Sequence, residues 1–212
     1  MNVKYYPYLG YFLLTLYSAI LIFLEITISQ EFVRNFFTDI EGAVHFYAIN
    51  TSLSVFLLLS TALMFAASLV AVVPSIDNRK TIFFYRSQIL FFGYLALDDR
   101  FLIHEKIRYI INTNDIFILL ILGILELLFI FFLGNIKHWN TRIKNNLYRA
   151  TLCFVLMVVV DTFFPPEMTP RLSLEDLSKT WANTFLFLFS WEIFKHNIVI
   201  LKQKAFLNSR GN

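Results

Sequence analysis

Apolar residues run in six long blocks along this chain, at about residues 7–28, 44–73, 81–102, 116–133, 147–164 and 174–201, with short polar stretches between them. A helix that crosses a bilayer needs about 20 mostly apolar residues, and each block reaches or nearly reaches that length. The runs are continuous rather than alternating, which argues against a β-barrel. The first block is interrupted only by Glu25; it is too long for a signal peptide, and no small-x-small cleavage site follows it. From Gly42 to Ile76 there is no Asp, Glu, Lys or Arg. A helix of about 30 residues there would be about 45 Å long, so it must tilt or protrude. The fifth block stops at Pro165-Pro166, which cannot continue a helix. Ser173 is placed to cap the sixth, with Glu175 and Asp176 in its first turn. The pattern predicts an all-α, polytopic membrane helix bundle of about six transmembrane helices, forming one domain over residues 1–212.

Six spans put both termini on one side, with the loops between spans two and three and between four and five. That side carries Lys4, Arg79, Lys80, Arg86, Lys137, Arg142, Lys144, Arg149, Lys195, Lys202, Lys204 and Arg210. The other carries only Arg34, Arg100, Lys106, Arg108, Arg171 and Lys179. Basic residues favour the cytoplasmic side, so both termini are expected in the cytoplasm and the chain in a cell (inner) membrane. Most acids fall at or near the opposite, outer side.

Composition agrees. Hydrophobic residues make up 58% of the chain and charged residues 16%, against about 25% charged in a soluble domain. Net charge is +3, but its basic residues sit in short loops between apolar runs, so nucleic acid is not an expected partner. The lipid bilayer is, and membrane-protein partners or a second copy are compatible with the Phe-rich surface. The single cysteine, Cys153, excludes an internal disulfide.

The sharpest polar feature is Leu97-Asp98-Asp99-Arg100-Phe101-Leu102-Ile103-His104-Glu105, at the outer end of the third span. Carboxylates and an imidazole this close are the side chains that ligate a divalent metal or act as an acid/base pair. On an unbroken helix Asp98 and Glu105 share a face, while His104 turns away from Asp98 toward Arg100 and Arg108. Convergence therefore requires a helix break or ligands from other helices. Glu25, His45, Asp161 and Glu175 lie at the matching depth. The metal candidates are Asp98, Asp99, His104, Glu105, Asp161 and Glu175. The alternative is a solvated mixed-charge face. Deeper in the membrane are Glu126 and Glu192, the latter one turn from His196 and next to Lys195. A central carboxylate costs about 2.5–3.5 kcal/mol on insertion scales, so each needs a partner or a wet path.

The stretch Asp98-Asp99-Arg100-Phe101-Leu102-Ile103-His104-Glu105 resembles a motif of uncharacterised bacterial multi-pass membrane proteins: Asp-(Asp/Glu), four residues, then His-Glu at the outer end of a helix. Such proteins also tend to open their last span with an acidic pair, which Glu175-Asp176 before Trp181 matches. The resemblance covers these short stretches and implies no activity. A looser likeness is to the ceramidase-like membrane hydrolases, which use His and Asp around zinc. Their paired His near the last helix is absent here, since Glu192-x-x-x-His196 supplies one, and their zinc ligands are not carried over.

No nucleotide-binding loop, nucleophile motif or haem attachment motif is present, so no catalytic residue is assigned. Three classes stay open: a protein with an outward polar site that binds a cation, including a metal-dependent membrane enzyme; a non-catalytic accessory or assembly subunit; and a transporter or channel component built on Glu126 and Glu192.

Overall fold

The computed structural model describes residues 6–34, 36–37, 48–71, 79–113, 115–134, 136–165 and 168–210. These form helices α1 (Tyr6–Thr27), α2 (Gln30–Arg34), α3 (Ile49–Ala71), α4 (Arg79–Phe101), α5 (Ile103–Ile111), α6 (Asp115–Leu133), α7 (Thr141–Phe163) and α8 (Arg171–Arg210), with a 3-10 turn at Ile136–His138. No strand occurs among the described residues. Each apolar block contains a helix, so the all-α expectation holds.

Among the described residues four helices are long and apolar enough to cross a membrane: Gly10–Thr27 within α1, Ile49–Ala71, Thr141–Phe163 and Arg171–Gln203. The apolar part of α6, Phe117–Leu133, is shorter. Helix α4 has the length, but its ends carry Arg79, Lys80, Asp98, Asp99 and Arg100.

Several boundaries move. Helix α3 begins at Ile49 rather than near residue 44; residues 38–47 and 72–78 lie outside the described part. Helix α7 starts at Thr141, well before 147, because Asn140 caps it: Asn140 Oδ1 accepts the Ile143 N–H at 2.9 Å. Helix α8 starts at Arg171, directly after Pro170, and runs on to Arg210. Ser173 is therefore not its cap; it sits inside the first turn.

The bundle is apolar outside, and inside it polar side chains lie beside an aromatic core. Helix α1 exposes Phe12, Leu13, Leu16, Ile20, Phe23 and Ile26. Buried instead are Asn50, Ser54, Thr61 and Ser68 of α3, with Thr180, Asn183 and Ser190 of α8. In water the outer surface would drive aggregation; in lipid it is an ordinary solvent contact. Small side chains on the α3 and α8 faces let the helices approach closely. Two hydrogen bonds join them, Thr180 Oγ1 to Asn50 Oδ1 at 2.7 Å and Asn183 Nδ2 to Ser54 Oγ at 2.6 Å. Such bonds contribute about 0.6 kcal/mol each in membrane proteins. Farther along, Phe65 stacks on Phe92 at 5.7 Å and meets Phe189 edge-on at 6.0 Å, centring the main core.

These contacts fix the helix directions. Residues near the start of α3 meet residues near the start of α8, so the two run parallel. Helix α4 runs against both, since Asn197 of α8 donates to the Tyr85 hydroxyl while Lys179 pairs with Asp99. Helices α1 and α7 also run against α8, through Glu25 with Ser173 and Asp161 with Arg171. The last turns of α1, α4 and α7 therefore gather with the first turns of α3 and α8 at one end of the bundle.

Candidate functional site

That end collects the acids. Glu25 in α1 is 2% exposed, Asp98 and Asp99 in α4 are 2% and 6% exposed, and Asp161, Glu175 and Asp176 are partly buried. Buried carboxylates persist only when paired, hydrogen-bonded or protonated, so their partners define what the site can do.

The α4–α5 junction shows how Asp98 is satisfied. Helix α4 ends at Phe101, and Leu102 adopts the left-handed conformation, φ 51° and ψ 46°. Leucine has no acceptor with which to cap α5. Asp98 supplies one from the preceding turn: its Oδ1 accepts the His104 N–H at 2.7 Å, and its Oδ2 lies 2.9 Å from His104 Nδ1. The break at Leu102 reverses the expectation for an unbroken helix, which turns His104 away from Asp98 toward Arg100 and Arg108. The side chain of Glu105 and all of His45 lie outside the described residues.

Asp99 points the other way and pairs with Lys179 of α8. Arg171 binds Asp161 Oδ1 at 2.5 Å and also donates to the Asp161 carbonyl at 3.2 Å. It reaches Glu175 at 3.4 Å, one turn along α8. Asp176 lies within the electrostatic reach of Lys179, Asp99, Glu25 and Arg171. Glu25 Oε2 accepts the Ser173 N–H at 2.8 Å. That N–H belongs to the first turn of α8, which has no intrahelical partner, and a carboxylate is favoured there by the helix dipole.

Sequence depth matching thus brought together the right acids but not their partners. Arg171 and Lys179 are the missing members. In the sequence they stand only as outer-side charges, and the pairing of Lys179 with Asp99 is invisible until α4 and α8 are known to be neighbours. Among the described residues, two buried carboxylate oxygens of the cluster accept no hydrogen bond, Glu25 Oε1 and Asp99 Oδ2. Among the described residues no three His, Cys, Asp or Glu side chains converge as metal ligands.

Nearer the other end, Glu192 pairs with Lys195 rather than with His196. Glu126 faces inward from α6 and is 7% exposed.

Over residues 8–193 the chain matches the model of a family described as a domain of unknown function, DUF8692, and it belongs to that family. No curated protein and no solved structure matches it.

Proposed function

We propose that this DUF8692 chain is a six-span protein of a bacterial inner membrane, with both termini cytoplasmic, and that its outward end binds a small cation. The α4 and α6 helices complete the six spans in this reading. The excess of basic residues on the side of the termini supports the orientation.

The cation reading rests on charge imbalance. Glu25, Asp98, Asp99, Asp161, Glu175 and Asp176 gather around Arg171 and Lys179, with His104 able to add one more positive charge. Carboxylates crowded into a poorly hydrated site repel one another, and a bound cation or proton relieves that repulsion. Glu25 Oε1 and Asp99 Oδ2 are buried acceptors left for it. Oxygen donors favour hard ions such as Na⁺, Ca²⁺, Mg²⁺ or Mn²⁺. A metal-dependent reaction at Asp98, Asp99, His104, Glu105, Asp161 and Glu175 would build on the same site, and no reaction is assigned. The test is direct binding of these ions to purified protein, with metal analysis of wild type beside Asp99→Asn.

A second reading, an accessory subunit, is favoured by α6. Its outer face exposes Phe117, Ile121, Ile124, Leu128, Phe131 and Phe132, a surface suited to lipid or to another helix. Absence of any cation effect, together with co-purification of a membrane partner lost on substitutions in α6, would favour it.

A further inference from the structure

Arg149 stands about two turns into α7, inside the stretch Thr141–Phe163 that is long and apolar enough to cross a membrane. Its guanidinium lies over the Phe185 ring of α8, 5.7 Å from the centroid. The Tyr11 ring of α1 packs on the same phenylalanine at 6.1 Å, and Trp181 of α8 does so at 5.7 Å. Helices α1 and α7 both pack on α8, and Arg149 sits where the two flank it.

Two helices give its depth independently. Along α7, about 18 Å of helix separates Arg149 from Asp161 at the acidic end, and about 12 Å separates it from Thr141 at the other. Along α8, Phe185 lies about 21 Å from Arg171 and about 15 Å from Lys195. The hydrocarbon layer of a bilayer is about 30 Å thick. The guanidinium therefore lies well inside that layer, far from the phosphates at either face.

Its charge is unmatched there. Among the described residues no carboxylate forms an ion pair with Arg149. The pairs join Asp98 with His104, Asp99 with Lys179, Asp161 and Glu175 with Arg171, and Glu192 with Lys195. The Phe185 ring and the Tyr11 hydroxyl within its reach carry no negative charge at neutral pH. A ring face attracts a cation without neutralising it. Arg149 is nevertheless exposed, as are Leu152 and Leu156 on the same side of α7. Ionisable side chains at membrane depth are costly and pair with one another.

Three sources could supply the missing anion, and depth separates them. A second copy of this chain offers no suitable acid among the described residues: Glu126 is buried, Glu192 is held by Lys195, and the others gather at the acidic end. Headgroup phosphate lies too far along the membrane normal. A carboxylate on another transmembrane helix meets both the depth and the charge, and a guanidinium binds it through two parallel hydrogen bonds.

We propose that the lipid-facing surface of α7 around Arg149, Leu152 and Leu156 docks a transmembrane helix of another membrane protein that presents an Asp or Glu at mid-membrane depth. This rests on α7 spanning the membrane and is independent of the outward cation site.

The probe is a synthetic leucine helix with flanking lysines and one Glu at its centre, beside otherwise identical helices carrying Gln or Leu there. The full chain, as Cys153→Ala with a donor dye on Asn212→Cys, is reconstituted in phosphatidylcholine vesicles, and energy transfer to an acceptor on the probe is titrated. A charge-assisted hydrogen bond exceeds a neutral one by about 10-fold in binding constant. The Glu helix is expected to bind about 10-fold more tightly than the Gln helix, and Arg149→Leu to abolish the difference. Equal binding of the three helices to the wild type overturns the proposal, and so does a Glu preference that survives Arg149→Leu. Loss of the preference in mixed phosphatidylcholine–phosphatidylglycerol vesicles assigns Arg149 to headgroup phosphate and overturns it. Transfer between copies of the chain that is lost in Arg149→Leu assigns the face to a second copy and overturns it as well. The wild-type comparison of probes stands even if the Leu variant fails to fold.

Discussion

The Asp98 carboxylate holds His104 twice, through the backbone N–H at 2.7 Å and the ring Nδ1 at 2.9 Å. One side chain thereby caps α5, orients an imidazole and stabilises the left-handed turn at Leu102 that separates α4 from α5. Its neighbour Asp99 points to Lys179, so adjacent acids tie α4 to two different elements.

Replacing Asp98 separates these roles. Asp98→Asn keeps an acceptor for the His104 N–H, whereas Asp98→Ala removes it. Loss of a helix cap costs about 0.5–2 kcal/mol. The Ala variant is expected to be less stable than Asn by about 1 kcal/mol, with faster amide exchange confined to α5. Equal exchange in the two variants would mean that the cap is not needed to hold the break.

The Asp99–Lys179 pair is tested by a double-mutant cycle. Lys179→Met leaves the buried Asp99 carboxylate without its partner; with the Lys179 side chain 35% exposed, the loss is expected to fall below the about 3–5 kcal/mol of a fully buried pair. Adding Asp99→Asn to Lys179→Met removes the orphaned charge and should recover much of that loss in reversible unfolding. If the double variant is less stable than Lys179→Met alone, Asp99 does not depend on Lys179.

Helix positions were legible in the sequence because long apolar runs in lipid leave the backbone little choice. The α4–α5 break was not. Leu102 carries neither of the Gly or Asn signals that mark a left-handed turn, and the stabilising acceptor comes from Asp98. The early start of α7 had a readable signal in Asn140-Thr141, masked by Arg142 and Lys144, which look like loop charges. The start of α8 could have been placed by Pro170, since proline is tolerated where helix N–H groups are unpaired anyway. Depth matching found Glu25, Asp98, Asp161 and Glu175 at one end. Side-chain pairing such as Glu25 with the Ser173 N–H depends on helix adjacency, which periodicity does not encode.

Orientation follows from accessibility. In a Cys153→Ala background, cysteines at Asn78 and Lys137 are expected to resist impermeant thiol reagents in whole cells, while cysteines at Thr113 and Glu167 react. The reverse pattern would place the acidic end in the cytoplasm. Labelling of Lys137 and Thr113 positions from the same side would remove α6 as a span.

The outward cation site is tested most directly by the unfolding temperature of purified protein titrated with Na⁺, Ca²⁺, Mg²⁺ or Mn²⁺ at constant ionic strength. A ligand that binds only the folded state at about 100 times its Kd stabilises by about 2.7 kcal/mol. A saturable rise is expected for at least one of these ions in the wild type, with its loss in Asp99→Asn and Glu175→Gln. An unfolding temperature that responds to none of them, or a rise retained in full by both variants, would contradict the outward cation site.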